Sequence, residues 1–104
     1  EKNKHLGANS WGGISLDKDR EILYFTTGNP SHYFDGTQRP GINQRSNSIV
    51  AVDIRNKKIL WHFQETAHDI WNYDLPAPPI LSSIERNGNI VDVVIAPTKR
   101  ANTL

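Results

Sequence analysis

No stretch of this chain carries apolar residues at helical spacing, and its apolar runs are short and rich in β-branched or aromatic side chains. Strands are therefore the regular element it can build. The expected strands are Ile14-Ser15-Leu16, Ile22 to Thr27, Ser48 to Asp53, Lys58 to Phe63, Ile80 to Ile84 and Ile90 to Ile95. Asp17-Lys18-Asp19-Arg20 turns between the first two, Ile54 to Lys57 between the next two, and Arg86-Asn87-Gly88 brings an Asn-Gly reversal between the last two. Gly28 to Ser46 holds three Gly and two Pro without periodicity. It is too long for a hairpin turn, so it is expected to be functional or packed over a neighbour. The pattern reads as an all-β meander, and a propeller suits it better than a closed sandwich if the unit recurs.

Composition narrows the function classes. With 37% hydrophobic and 22% charged residues and a net charge of +1, the chain resembles an ordinary globular protein and argues against a nucleic-acid partner or a disordered tail. Its apolar runs fall short of the roughly 20 residues that span a bilayer, and it opens on no signal-peptide pattern. The absence of Cys rules out disulfides and Cys-ligated zinc within these residues. Because Glu1 is not an initiator Met and Asn102-Thr103-Leu104 reads as the start of a strand, we expect an internal fragment. Residues 1–104 would form one partial domain without an internal boundary.

The candidate site lies in Trp61 to Pro79, where indoles, imidazoles, carboxylates and the Asn72 amide precede Pro76, Pro78 and Pro79. Those prolines forbid a continuing central strand or helix. An extended path towards them would aim Asn72 and Asp74 to the same side. The alternative is an inter-strand loop in which the aromatics fill a gap and His68-Asp69 forms a turn hydrogen bond.

His68-Asp69-x-Trp71-Asn72-x-Asp74-x-Pro76-Ala77 resembles the active-site loop of the quinoprotein dehydrogenases, β-propeller enzymes that carry pyrroloquinoline quinone (PQQ). Leu75-Pro76-Ala77 favours the glucose and polyol branch. Ala51-x-Asp53 followed by Trp61 is similar to the family's tryptophan-docking repeat, in which the indole wedges between blades against the Ala and a neighbouring backbone group. The usual Thr-Gly of that turn is Asn56-Lys57 here, and Asn56 is expected to take the left-handed conformation. The resemblance covers nearly the whole chain and implies about two blades of an eight-bladed propeller. Alone, the chain would leave strand edges and apolar blade faces exposed, predicting aggregation or a marginal fold.

Several site roles follow from the resemblance. Asn9-Ser10-Trp11-Gly12 is similar to the segment whose Trp stacks beneath the quinone, which assigns cofactor binding to Trp11. Thr27-Gly28-Asn29-Pro30 resembles the turn whose Asn oxygen holds Ca²⁺, assigning Asn29 to the metal. Ala96-Pro97-Thr98-Lys99 resembles the segment whose buried Lys hydrogen-bonds the quinone oxygen, assigning Lys99 to the cofactor. Arg39-Pro40-Gly41-x-Asn43 and Ser46-Asn47-Ser48 resemble a connecting loop with a structural job.

The family's usual His-Asp-x-Trp-Asp ends in the proposed catalytic base, and Asn72 stands there in this chain. An amide is not basic near neutral pH, so Asn72 marks either a crippled enzyme or a base located elsewhere, with Asp74 the candidate. The resemblance implies a periplasmic PQQ-dependent dehydrogenase, using Ca²⁺ or a lanthanide, that oxidises a sugar, polyol or related alcohol and passes electrons to ubiquinone or a cytochrome. Membrane association would come from parts of the parent protein outside this fragment, as would the remaining propeller blades, and the fragment alone is expected to be inactive. The rival expectation is a non-catalytic propeller, either an assembly scaffold or a carbohydrate-binding module using Tyr33, Phe34 and Tyr73.

Overall fold

A computed structural model describes residues 7–104, so the loop expected from the polar, Gly- and Asn-rich residues 1–10 lies partly outside the described residues. Six strands follow in order: β1 (Ile14–Asp17), β2 (Ile22–Thr26), β3 (Ser48–Asp53), β4 (Lys58–Gln64), β5 (Ile80–Arg86) and β6 (Asn89–Ile95). Each expected strand is present; β3 has the expected ends, and each of the others differs at one end by one or two residues. The first four form an antiparallel meander ordered β1-β2-β3-β4, while β5 and β6 form a separate hairpin. The chain then turns back, and Thr103 bridges Pro97 as Ala96 and Leu104 exchange backbone hydrogen bonds. This is the pairing expected of a strand beginning near Asn102. The architecture is all-β, one four-stranded blade and part of a second.

The turns show how local chemistry sets the hairpins. Asp17 Oδ1 accepts the N–H groups of Asp19 at 3.1 Å and Arg20 at 3.0 Å, and Glu21 closes the turn with φ 55°. Asp53 repeats the arrangement by accepting the Asn56 N–H at 2.9 Å. There the left-handed residue is Lys57, with φ 55°, and not Asn56 as expected. Asn56 is held instead by a side-chain bond to Asp53 Oδ2 at 2.8 Å, which leaves the next residue to reverse the chain. Asn87 and Gly88 have φ 53° and 75°, the two consecutive left-handed residues that a tight hairpin requires.

Tyr24, Ala51 and Trp61 form one row across the sheet, with Trp61 paired to Ala51 just before a bulge. The small Ala leaves room for the indole to tilt against the Tyr24 ring, 6.0 Å between centroids at 48°, a favourable aromatic arrangement. Trp61 remains 42% exposed, because the second sheet packs through β5 beside β1 and not over β4. Ile80, Leu81, Ile84, Ile90 and Val91 on the hairpin are exposed too. These are the uncovered apolar faces anticipated for a partial propeller.

A small core fastens the end of the long loop to both sheets. Ile49, Leu75 and Ala96 are buried together, with Val94 and Leu104 against them. Leu75 directly follows Asp74, so burying one residue fixes the direction of its neighbour.

Candidate active site

Glycines place the first site segment. A Cβ at Gly12 would lie 2.6 Å from the Pro76 carbonyl carbon and 2.9 Å from the Ala77 nitrogen. The backbone after Trp11 therefore lies directly on the proline-rich exit of the loop, an approach only Gly permits. Thr26 Oγ1 donates to the Ala77 carbonyl at 2.9 Å, and Ser15 Oγ donates to that of Pro79. The exit is thus tied to β1 and β2 through backbone oxygens that proline leaves unpaired.

Asp69 organises the turn upstream. It is 1% exposed, and its carboxylate accepts the N–H groups of Trp71 at 2.8 Å and Tyr73 at 2.6 Å, together with Asn47 Nδ2 at 2.7 Å. An Asx turn of this kind substitutes carboxylate oxygens for missing strand partners. Between the two N–H groups, Asn72 takes φ 60°. The extended path expected through Asn72 is therefore incorrect: the Asp69 cap curls the chain, and Asn tolerates the left-handed region better than most residues.

The curl still delivers Asn72 and Asp74 to one place. A hollow of about 420 Å³ is lined by Asn9, Trp11, Asn29, Tyr33, Asn72 and Asp74. Asp74 Oδ1 accepts the Asn29 N–H at 2.6 Å, and Oδ2 accepts Lys99 Nζ at 2.6 Å. Lys99 also donates to the Asn72 carbonyl at 3.1 Å. Its side chain is 38% exposed, in contrast to the buried ammonium expected. A Cβ at Gly28 would fall 2.6 Å from Asp74 Oδ1 and 2.8 Å from Trp11 Nε1, so the absent side chain lets the indole and the carboxylate close on the same backbone. Trp11 is 54% exposed.

Two amide oxygens at this site, Asn29 Oδ1 and Asn72 Oδ1, are buried and have no hydrogen-bond partner among the described residues. Buried acceptors are nearly always satisfied, and an orphaned pair points to an ion or water between them and their surroundings. Amide and carboxylate oxygens are the hard donors that Ca²⁺ takes. Among the described residues, no three His, Cys, Asp or Glu cluster as a metal site.

Sequence reasoning did not single out Asp69 or the buried Arg39 as organisers of this site. The Asx character of Asp69 was the available signal. Arg39 was placed only in a structural connecting loop, since composition does not show that its guanidinium meets the His32, Tyr33 and Asp69 carbonyls and the Asn43 amide.

A second, larger cleft of about 640 Å³ separates the sheets. Arg20 spans it, pairing with Asp17 at 2.8 Å and with Asp92 on β6, while Ser83 Oγ donates to Asp92 at 2.7 Å. The Arg20 N–H and guanidinium hold the Asp17 carboxyl below its ordinary value, and the Ser83 hydroxyl and Arg20 do the same for Asp92. None of the first hollow's lining residues belongs to this cleft.

Residues 1–104 match the family described as glucose/ethanol/alcohol dehydrogenase, beta-propeller domain, named for PQQ. The chain belongs to this family. Quinoprotein glucose dehydrogenase of Escherichia coli (strain K12) is 34% identical over 95 residues, covering 90% of this chain and 12% of that protein. Among solved structures, quinohemoprotein alcohol dehydrogenase from Comamonas testosteroni superposes with a TM-score of 0.79 at 33% identity, over 89% of this chain and 14% of that one. A europium-containing methanol dehydrogenase gives a TM-score of 0.80 at 28% identity, over 88% of this chain and 16% of that one. The PQQ-family propeller therefore accounts for the four-stranded meander and the hairpin beside it. This chain spans only about an eighth of the E. coli relative.

Proposed function

We propose that this chain is a piece of a periplasmic PQQ-dependent dehydrogenase that oxidises a sugar, polyol or related alcohol and passes electrons to ubiquinone or a cytochrome. The observation that carries the reading is the pair of buried, unpartnered amide oxygens, Asn29 Oδ1 and Asn72 Oδ1, on residues that line one hollow with Trp11 and Asp74. When bound, PQQ supplies a quinone carbonyl that accepts hydride, and Ca²⁺ or a lanthanide supplies the Lewis acid beside it.

This chain's residues do the rest. The Trp11 indole offers a flat wall for a planar molecule. Asn29 Oδ1, with Asn72 Oδ1 and the Asp74 carboxylate lining the same hollow, would hold the cation, with residues elsewhere in the protein completing its shell. Lys99 presents an ammonium to anionic oxygen at the rim of the hollow. Asp74 receives the alcohol proton, since the Asn72 amide cannot. Asn29 N–H and Lys99 fix the orientation of that carboxylate, as a positioned base requires.

The same bonds favour a second reading. Both Asp74 oxygens already have donors, and Asn72 stands where the family pattern has its base, which together suit a non-catalytic PQQ-repeat propeller. Loading the full-length protein with PQQ and Ca²⁺ or a lanthanide, then following dye reduction with glucose, polyols and ethanol, separates the two. Reduction with one of these classes is expected. No reduction with any of them supports the non-catalytic propeller.

A further inference from the structure

We infer that Arg39 is a positioning residue for the cation site, acting through the Tyr33 and Asp69 carbonyls on Asn29 and Asn72. The inference rests on the cofactor reading above. Arg39 is 1% exposed, and among the described residues it meets no carboxylate. Its Nη1 donates to Asn43 Oδ1 at 2.6 Å, while Nη2 donates to the carbonyls of His32 at 3.4 Å, Tyr33 at 3.3 Å and Asp69. Burying a guanidinium without an anion is costly. Such a group is retained where its planar fork holds several oxygens in a fixed arrangement.

Two of those oxygens lead to the site. The Tyr33 carbonyl also accepts Asn29 Nδ2 at 2.9 Å. A carbonyl can only accept, so the amide nitrogen faces it and Asn29 Oδ1 faces away, without a partner among the described residues. The Asp69 carbonyl belongs to the residue whose carboxylate binds the Trp71 and Tyr73 N–H groups on either side of Asn72. One guanidinium nitrogen thereby links the Gly28 to Tyr33 segment to the Asp69 to Asp74 turn. Each segment brings one unpartnered amide oxygen. Arg39 fixes the spacing between the two, and a cation of given radius binds only when that spacing is right.

Lys at position 39 keeps the charge but cannot hold both carbonyls and Asn43 in one plane. The test is the Ca²⁺ dissociation constant of the full-length protein, measured by isothermal titration well below its melting temperature, for wild type and Arg39→Lys. Loss of such a supporting contact typically weakens metal binding about ten- to a hundred-fold, and that range is expected. Asn43→Ala, which removes the Nη1 acceptor and leaves Arg39 in place, is expected to weaken binding several-fold, and it decides the matter if Arg39→Lys does not fold. A folded Arg39→Lys with wild-type affinity overturns the inference, as does wild-type affinity in Asn43→Ala when Arg39→Lys is unfolded. A wild-type protein that takes up no cation overturns the cofactor reading with it.

Discussion

Lys99, in the turn after β6, places its Nζ 2.6 Å from Asp74 Oδ2, in the loop after β4. The other oxygen of Asp74 holds the Asn29 backbone N–H, so one carboxylate joins three segments that are far apart in the chain. Charge-assisted bonds of this length are among the stronger polar contacts in a protein. Removing Asp74 leaves the buried Asn29 N–H without its acceptor, while Lys99 keeps the Asn72 carbonyl.

Asp74→Ala should therefore abolish most turnover in the full-length, PQQ-loaded protein. A positioned base contributes about 10²- to 10⁴-fold, and steady-state dye reduction should fall by that order. Asn72→Asp should retain activity, since it restores a carboxylate at the family's base position. Wild-type turnover in Asp74→Ala removes Asp74 as the proton acceptor.

Lys57→Gly should stabilise the protein. Lys57 holds φ 55°, a conformation that costs a side-chain-bearing residue roughly 1–2 kcal/mol. Gly gives some of that back through its looser unfolded state, so the net gain should be up to about 1 kcal/mol by denaturant titration. The equivalent change at Ile54, whose φ is not positive, should instead destabilise.

Gly12→Ala and Gly28→Ala should fail in different ways. The new Cβ at residue 12 meets the Pro76 and Ala77 backbone, which cannot rotate aside, and overpacking of this kind costs about 1–3 kcal/mol. At residue 28 it meets the Asp74 carboxylate and the Trp11 indole, side chains of the site and not backbone of the fold. There the melting temperature should change less than PQQ affinity, and equal losses in both would contradict the site geometry.

Acid should loosen the contact between the sheets. Asp17 and Asp92 both titrate below the ordinary 3.8 in the folded chain. Their stabilisation is therefore full above that value and is lost as pH falls through the lower folded values. Hydrogen exchange of β5 and β6 should accelerate below about pH 4, beyond the intrinsic change in exchange rate. Arg20→Gln, which removes the shared partner, should flatten this dependence.

The strands were legible because period-two apolar runs between turn residues admit few alternatives, and Asn87-Gly88 named its own turn. The left-handed Asn72 was not legible. Proline restricts only the residue before it, so Pro76 constrains Leu75 and leaves Asn72 to the Asp69 cap. The left-handed residue in the β3–β4 turn was misplaced by one, because Asn propensity was weighed without the side-chain bond that occupies Asn56. Trp11, Asn29, Asn72, Asp74 and Lys99 were singled out through family motifs. The structure brings four of them to one hollow and ties Lys99 to it through Asp74. Arg39 was given only a structural job in its connecting loop, because an Arg in a Gly- and Pro-rich loop has the composition of surface, and only folding reveals the carbonyls around it.

The most direct measurement is a PQQ titration of the full-length protein, with and without Ca²⁺, read by quenching of Trp fluorescence. The account predicts saturable uptake that requires the cation and weakens strongly when Trp11→Ala and Lys99→Ala are combined. PQQ that fails to bind, or that binds the double variant as tightly as wild type, would contradict it.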